Sequence, residues 1–188
     1  MTNPERILRT LDRHLRQPTR VVLFGRAALA LGYEQTPAEF AVTQDVDALL
    51  PGLDMARIEA DRQFWAALDA TNRELEPSGL YMTHLFADTQ VVIAPDWWKR
   101  TAPVEAAPAF RHLELSRPAT VDLILTKMMR HDPQDMDDIR FLLGRERMTT
   151  SRLEQAFAAA RVPPVPEIRE AFQAMQPAVL AVARSGPV

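Results

Sequence analysis

The stretch Thr43-Gln44-Asp45-Val46-Asp47-Ala48-Leu49-Leu50 constrains this chain more than any other, because it sets two carboxylates two residues apart in a strand-like segment. Strand alternation sends Asp45 and Asp47 to one face and Val46, Ala48 and Leu50 to the other. Two ionised carboxylates side by side repel, and burying them without partners is costly. A divalent cation removes both penalties, and Mg²⁺ is commonly held by one or two carboxylates together with substrate phosphates. The competing reading is a pair of acids facing solvent at a strand edge, so the rest of the chain has to separate the two.

A length of 188 residues suits one ordinary domain, or a core with a helical appendage. Apolar residues at 47 % and charged residues at 25 % are those of a soluble globular protein. The net charge of −3 argues against a protein that coats nucleic acid non-specifically, though not against a local basic groove. Without cysteine there are neither disulfides nor thiolate metal sites. The N-terminus lacks the apolar core of a signal peptide. The longest apolar runs, Val21 to Gly25 and Ala27 to Gly32, fall far short of a membrane span, so a cytoplasmic protein without a membrane partner is expected.

Asn3 before Pro4 reads as a helix start, with Ile7, Leu8, Leu11 and Leu15 at helical spacing to about Gln17. Val21 to Phe24 reads as a buried strand ending at Gly25, and Arg26 to Leu31 as the start of a helix. Residues 32–40 read as loop and 41–50 as the strand of the two aspartates. Asp54 to Glu76 reads as one amphipathic helix with an apolar stripe of Ile58, Phe64, Leu68 and Leu75. Leu80 to Phe86 and Gln90 to Ala94 read as two strands of a hairpin. Phe110 to Leu115 reads as one more strand, beyond a connection marked by Pro95, Pro103 and Pro108. From Pro118 the chain reads as four helices, over 121–130, 135–143, 151–161 and 167–184, with a kink expected at Pro177.

A strand ending in Phe24-Gly25, then a helix, then a strand carrying Asp45-x-Asp47 resembles the nucleotidyltransferase superfamily, with its polymerase-beta-like fold. The stretch Val121-Asp122-Leu123-Ile124-Leu125-Thr126-Lys127, followed by Arg130, Asp135 and Asp138-Ile139, is similar to bacterial nucleotidyltransferase-like proteins. These include the toxins of type IV toxin–antitoxin systems and carry a Lys and a downstream Asp-x-x-Asp on consecutive helices. The resemblance implies an α/β (α+β) fold with a mixed sheet flanked by helices. The order of strands and then helices places a core at residues 1–116 and a C-terminal helical region at 117–188, packed together as one compact domain, and the resemblance covers roughly residues 20–145. It further implies transfer of a nucleotide from an NTP to a tRNA or protein acceptor, with Mg²⁺, or Mn²⁺ in its place, held by Asp45 and Asp47. Lys127 would be the third catalytic residue. Gly25, Arg26, Arg100 and Lys127 would bind the nucleotide, Asp135 and Asp138 would support the site, and an antitoxin protein would be a partner.

Three departures favour the alternative of a non-catalytic nucleotide- or protein-binding module. Arg26 stands where the superfamily has Ser or Gly, and Glu34 to Phe40 lengthens the path from Gly25 to Asp45. The superfamily's third carboxylate has no clear counterpart: Asp88, Asp96 and Glu114 are the candidates, with His84 at a strand position. Lys127, on an otherwise apolar helix, wants an anion, which is either a phosphate or a structural partner in Asp135 or Asp138. Asp96-Trp97-Trp98-Lys99-Arg100 can stack on bases and neutralise phosphate, or plug the edge of a core with its tryptophans. Asp132 before Pro133 reads as a helix cap. The four histidines show no zinc spacing, and no Walker A or Gly-x-Ser-x-Gly pattern occurs. The last two helices are expected to form core, or a surface for dimerisation or antitoxin docking.

Overall fold

Thr2 starts the first helix, one residue earlier than Asn3. In this computed structural model, which describes residues 1–104 and 109–186 apart from the side chains of Leu53, Thr83 and His84, α1 spans Asn3–His14. The Thr2 hydroxyl accepts from the Glu5 amide and the Glu5 carboxylate accepts from the Thr2 amide, a reciprocal cap that requires the three-residue spacing Asn3 lacks. The Asn3 side chain instead donates to the carbonyl of Val42 at 3.2 Å.

The chain divides into two compact units, residues 1–87 with 101–117 and residues 88–100 with 118–188. The first is built on one mixed five-stranded sheet. Its strands are β1 (Thr19–Phe24), β2 (Asp45–Leu50), β3 (Tyr81–Ala87), β4 (Ala102–Pro103) and β5 (Leu113–Arg117), in the order β3-β2-β1-β5-β4. The β1/β5 and β2/β3 pairs are parallel, and β1/β2 and β4/β5 are antiparallel. Val21 and Leu23 of β1 and Val46 and Ala48 of β2 are buried, whereas Val22, Phe24, Asp45 and Asp47 are half-exposed. The alternation read from the sequence therefore holds, and the two aspartates lie on the less covered face.

Three helices pack on this sheet: α1, α2 (Gly25–Gly32) and α5 (Arg62–Leu75). Between them lie two short helices, α3 (Ala38–Ala41) and α4 (Met55–Ala60). Residues 32–40 thus end in a helical turn, and β2 begins only at Asp45. The single helix expected over 54–76 is two helices, because the Asp61 carboxylate accepts from the amides of Gln63 and Phe64 and caps α5 from within the segment. Its stripe of Ile58, Phe64, Leu68 and Leu75 is nevertheless buried. The end of α2 is fixed by close approach: a Cβ on Gly32 would lie 2.3 Å from Arg117 Cδ. The Arg117 guanidinium donates to the Gly32 carbonyl at 2.9 Å and lies 4.0 Å over the Tyr33 ring.

The expected hairpin does not form. Asp88–Gln90 is a 3-10 turn, and Ile93 exchanges backbone hydrogen bonds with Arg161 at 3.2 and 2.9 Å instead of pairing with β3. Asp88 directs this: its buried carboxylate accepts from Trp97 Nε1 at 3.1 Å and pairs with Arg161 at 3.0 Å. Residues 88–100 consequently belong to the second unit, with α6 (Thr120–Lys127), α7 (Pro133–Arg145), α8 (Thr150–Ala159) and α9 (Pro166–Ser185). Leu123, Ile124, Leu125, Ile139, Leu142, Leu153, Phe172 and Met175 fill the core of that unit, and α9 runs through Pro177. The strand expected from Phe110 starts at Leu113, and Pro108 lies outside the described residues. Among the described residues no helix is long and apolar enough to cross a membrane.

Asp12 on α1 ties the approach to β5 in place. Its carboxylate accepts from the amides of Arg111, His112 and Leu113 at 2.9, 2.7 and 2.9 Å. Burial pushes this carboxyl up, but the three N–H donors and the charge of His112 outweigh it and hold it below its ordinary value. A carboxyl depressed in the folded state stabilises the fold above its unfolded pKa and loses that contribution as pH falls through the folded one. Asp12→Ala is predicted to cost about 1–2 kcal/mol in urea unfolding at neutral pH. The gap from wild type should narrow as the carboxyl of the parent protein is protonated in acid.

Candidate functional site

The site grows from the end of β1. The antiparallel register sets Phe24 opposite Asp47, so the next residue, Gly25, turns the chain into α2 directly beside that carboxylate. Gly25 has φ +62°, a conformation costing other residues roughly 1–2 kcal/mol, and a Cβ there would lie 3.3 Å from Asp47 Oδ2. Glycine is therefore favoured twice, by the left-handed backbone and by the close approach of the acid. Phe24, the residue before α2, offers no side-chain cap, and the first turn of α2 carries no acidic residue.

Asp45 lies one pleat along on the same face, and its Oδ1 accepts the Thr43 hydroxyl at 2.9 Å. Opposite them the β2/β3 register shifts, from Val46↔Met82 to Ala48↔Leu85, so β3 advances three residues while β2 advances two across Asp47. Such bulges re-aim side chains and are common beside functional sites. Two carboxylates at i and i+2 on a half-exposed strand face suit one hard cation whose remaining positions are completed by water and phosphate oxygens. The Arg26 guanidinium is stacked 5.3 Å from the centre of the Phe40 ring on α3.

Each of the three carboxylates considered as a third ligand has a basic partner. Asp88 is held by Trp97 and Arg161 in the second unit. Asp96, itself at φ +58°, pairs with Lys99 at 3.3 Å, and the exposed Glu114 pairs with Arg20 at 2.9 Å. The His84 side chain lies outside the described residues. Among the described residues no group of three or more His, Asp or Glu side chains is arranged to hold a metal ion.

The other sequence candidates lie in the second unit, each against a carboxylate. Lys127 Nζ is 2.6 Å from Asp138 and 3.4 Å from Asp135, all three buried, and Arg130 reaches Asp135 at 3.2 Å. The i, i+3 spacing of the two acids on α7 presents both to one ammonium. Arg100 grips both oxygens of the fully buried Asp122 at 3.1 and 3.0 Å. Burial pushes the Asp122 carboxyl up, against the opposing pull of Arg100 and the Ala94 amide. Trp97 is core, Trp98 is half-exposed, and Asp132 caps α7 through the Gln134 amide, as its place before Pro133 suggests. Sequence reasoning missed Asp122, Arg161 and Thr43. Asp122 had a signal, a lone acid at the start of an apolar helix. Arg161 and Thr43 had none. Lys127→Met removes the ammonium that faces the buried Asp138 and Asp135, and it is predicted to cost about 3 kcal/mol in chemical unfolding. An unchanged unfolding midpoint would contradict that assignment.

No curated protein and no solved structure matches the chain. The model of one family, described as a nucleotidyltransferase of unknown function (DUF6036), matches residues 5–171. That span contains the Gly25 turn, the Asp45 and Asp47 strand and the Lys127, Asp135 and Asp138 cluster, and the chain belongs to this nucleotidyltransferase family.

Proposed function

We propose that this protein is a Mg²⁺-dependent nucleotidyltransferase that moves a nucleotide from an NTP to an acceptor hydroxyl. The observation that carries the reading is the juxtaposition at the end of β1. A left-handed glycine, the start of α2 and the Asp47 carboxylate meet within contact distance, with Asp45 on the same strand face. Asp45 and Asp47 would hold the ion, and the NTP phosphates would complete its shell. When bound, the ion neutralises charge on the transferring phosphoryl group and on the leaving oxygens.

The chain's own residues supply position. At Gly25 the absent side chain lets Asp47 come close to the backbone, and a phosphate sharing the ion with that carboxylate would meet the first-turn amides of α2. The pairing of Lys127 with Asp138 and Asp135, and of Arg100 with Asp122, suits a structural role for both cations. A tRNA or protein hydroxyl as acceptor, and an antitoxin partner as in the type IV systems the sequence resembles, complete the reading.

A second reading is a nucleotide- or protein-binding module without catalysis. What favours it is that Asp88, Asp96 and Glu114 each have a basic partner, and among the described residues no group of three acids is arranged to hold a metal ion.

Calorimetric titration with non-hydrolysable NTP analogues, with and without Mg²⁺, separates the two. Transferase chemistry predicts Mg²⁺-dependent binding that Asp45→Ala and Asp47→Ala each weaken by about tenfold or more, the scale of losing one charge-assisted ligand. Nucleotide binding indifferent to Mg²⁺ and to both substitutions would support the second reading and overturn the first.

A further inference from the structure

We infer that Thr43 is a positioning residue for the cation site: its hydroxyl, donated to Asp45 Oδ1, sets the orientation in which Asp45 offers its other oxygen to a divalent ion. The inference rests on the reading of Asp45 and Asp47 as ligands and assigns a residue that reading does not require.

Thr43 is held where it stands by contacts independent of any ligand. Its amide donates to the Phe40 carbonyl at 3.4 Å, closing the turn that ends α3. The carbonyl of the preceding Val42 accepts from the Asn3 side chain, and the carbonyl of the following Gln44 accepts from the Tyr81 amide at 3.1 Å. Segment 42–44 is therefore pinned from α1, from α3 and from β3 before Asp45 enters the strand. Threonine is restricted at χ1, so a fixed backbone limits the positions open to the hydroxyl. At 2.9 Å that hydroxyl makes a hydrogen bond of ordinary length to Oδ1, which leaves Oδ2 uncontacted by Thr43.

The chemistry favours this arrangement over a cationic partner. A lysine or arginine at this place would compete with the metal for the carboxylate. A neutral hydroxyl orients the same group and leaves its charge for the cation. Partners of this kind around metal ligands commonly set affinity by 10- to 100-fold.

The test uses the full-length protein and Mn²⁺ as the probe, read by its electron paramagnetic resonance signal in the presence of a non-hydrolysable NTP analogue. Thr43→Val removes the hydroxyl at nearly constant shape, and Thr43→Ser keeps it. Thr43→Val is expected to weaken Mn²⁺ binding about tenfold, with thermal unfolding and metal-free nucleotide binding unchanged. Thr43→Ser is expected to bind close to wild type. Should Thr43→Val fail to fold, Thr43→Ala carries the same comparison. Wild-type Mn²⁺ affinity in the hydroxyl-less variant, while Asp45→Ala loses the ion, overturns the inference and leaves the site standing. Wild-type affinity in Asp45→Ala removes both.

Discussion

The pairing of β1 with β2 in one particular register is the constraint on which the first unit's chemistry depends. Because Phe24 faces Asp47, the glycine that follows is forced against a carboxylate at the moment the strand becomes a helix. A slip of one residue would turn Asp45 and Asp47 into the buried face and send Val46 and Ala48 outward, exchanging an apolar core for two uncompensated charges. The burial of Val46 and Ala48 therefore specifies the register, and the register specifies the site.

The buried acids of the second unit are satisfied differently from Asp12 and Asp45 in the first. In the second unit Asp88, Asp122, Asp135 and Asp138 are buried, and each has an arginine or lysine within 3.4 Å. Such pairs offset a large desolvation cost and stabilise the fold mainly against the loss of either member. In the first unit, Asp12 is met by three backbone amides and Asp45 by a hydroxyl, all neutral donors. A carboxylate oriented by neutral donors keeps its full charge for whatever binds next, which is the property a metal ligand needs.

What could be read from the sequence was what local pattern encodes. The strand ending at Gly25 and the facing of Asp45 and Asp47 follow from alternation within a few residues. Of the two readings open for Lys127, the i, i+3 spacing of Asp135 and Asp138 already supplied the partners that the ion pair uses. What could not be read was settled over long separations. Residues 90–94 have the apolar character of a strand, but Ile93 bonds to Arg161 and the Ala94 amide to Asp122, and the buried Asp88 that directs the segment has its arginine 73 residues away. Asp12 meets backbone 100 residues downstream. The break at Asp61 is an intermediate case: an acid inside an amphipathic stripe reads as solvated surface unless its two amide partners are seen. The membership of the chain in a nucleotidyltransferase family agrees with the resemblance carried by Phe24-Gly25 and Asp45-x-Asp47.

The most direct test is to locate the ion itself. Crystals grown with Mn²⁺ and a non-hydrolysable NTP analogue would be measured for anomalous scattering from manganese. The account predicts a peak within coordinating distance of both Asp45 and Asp47, with the triphosphate lying along the Gly25 turn. A bound nucleotide whose metal lies away from both carboxylates would contradict it.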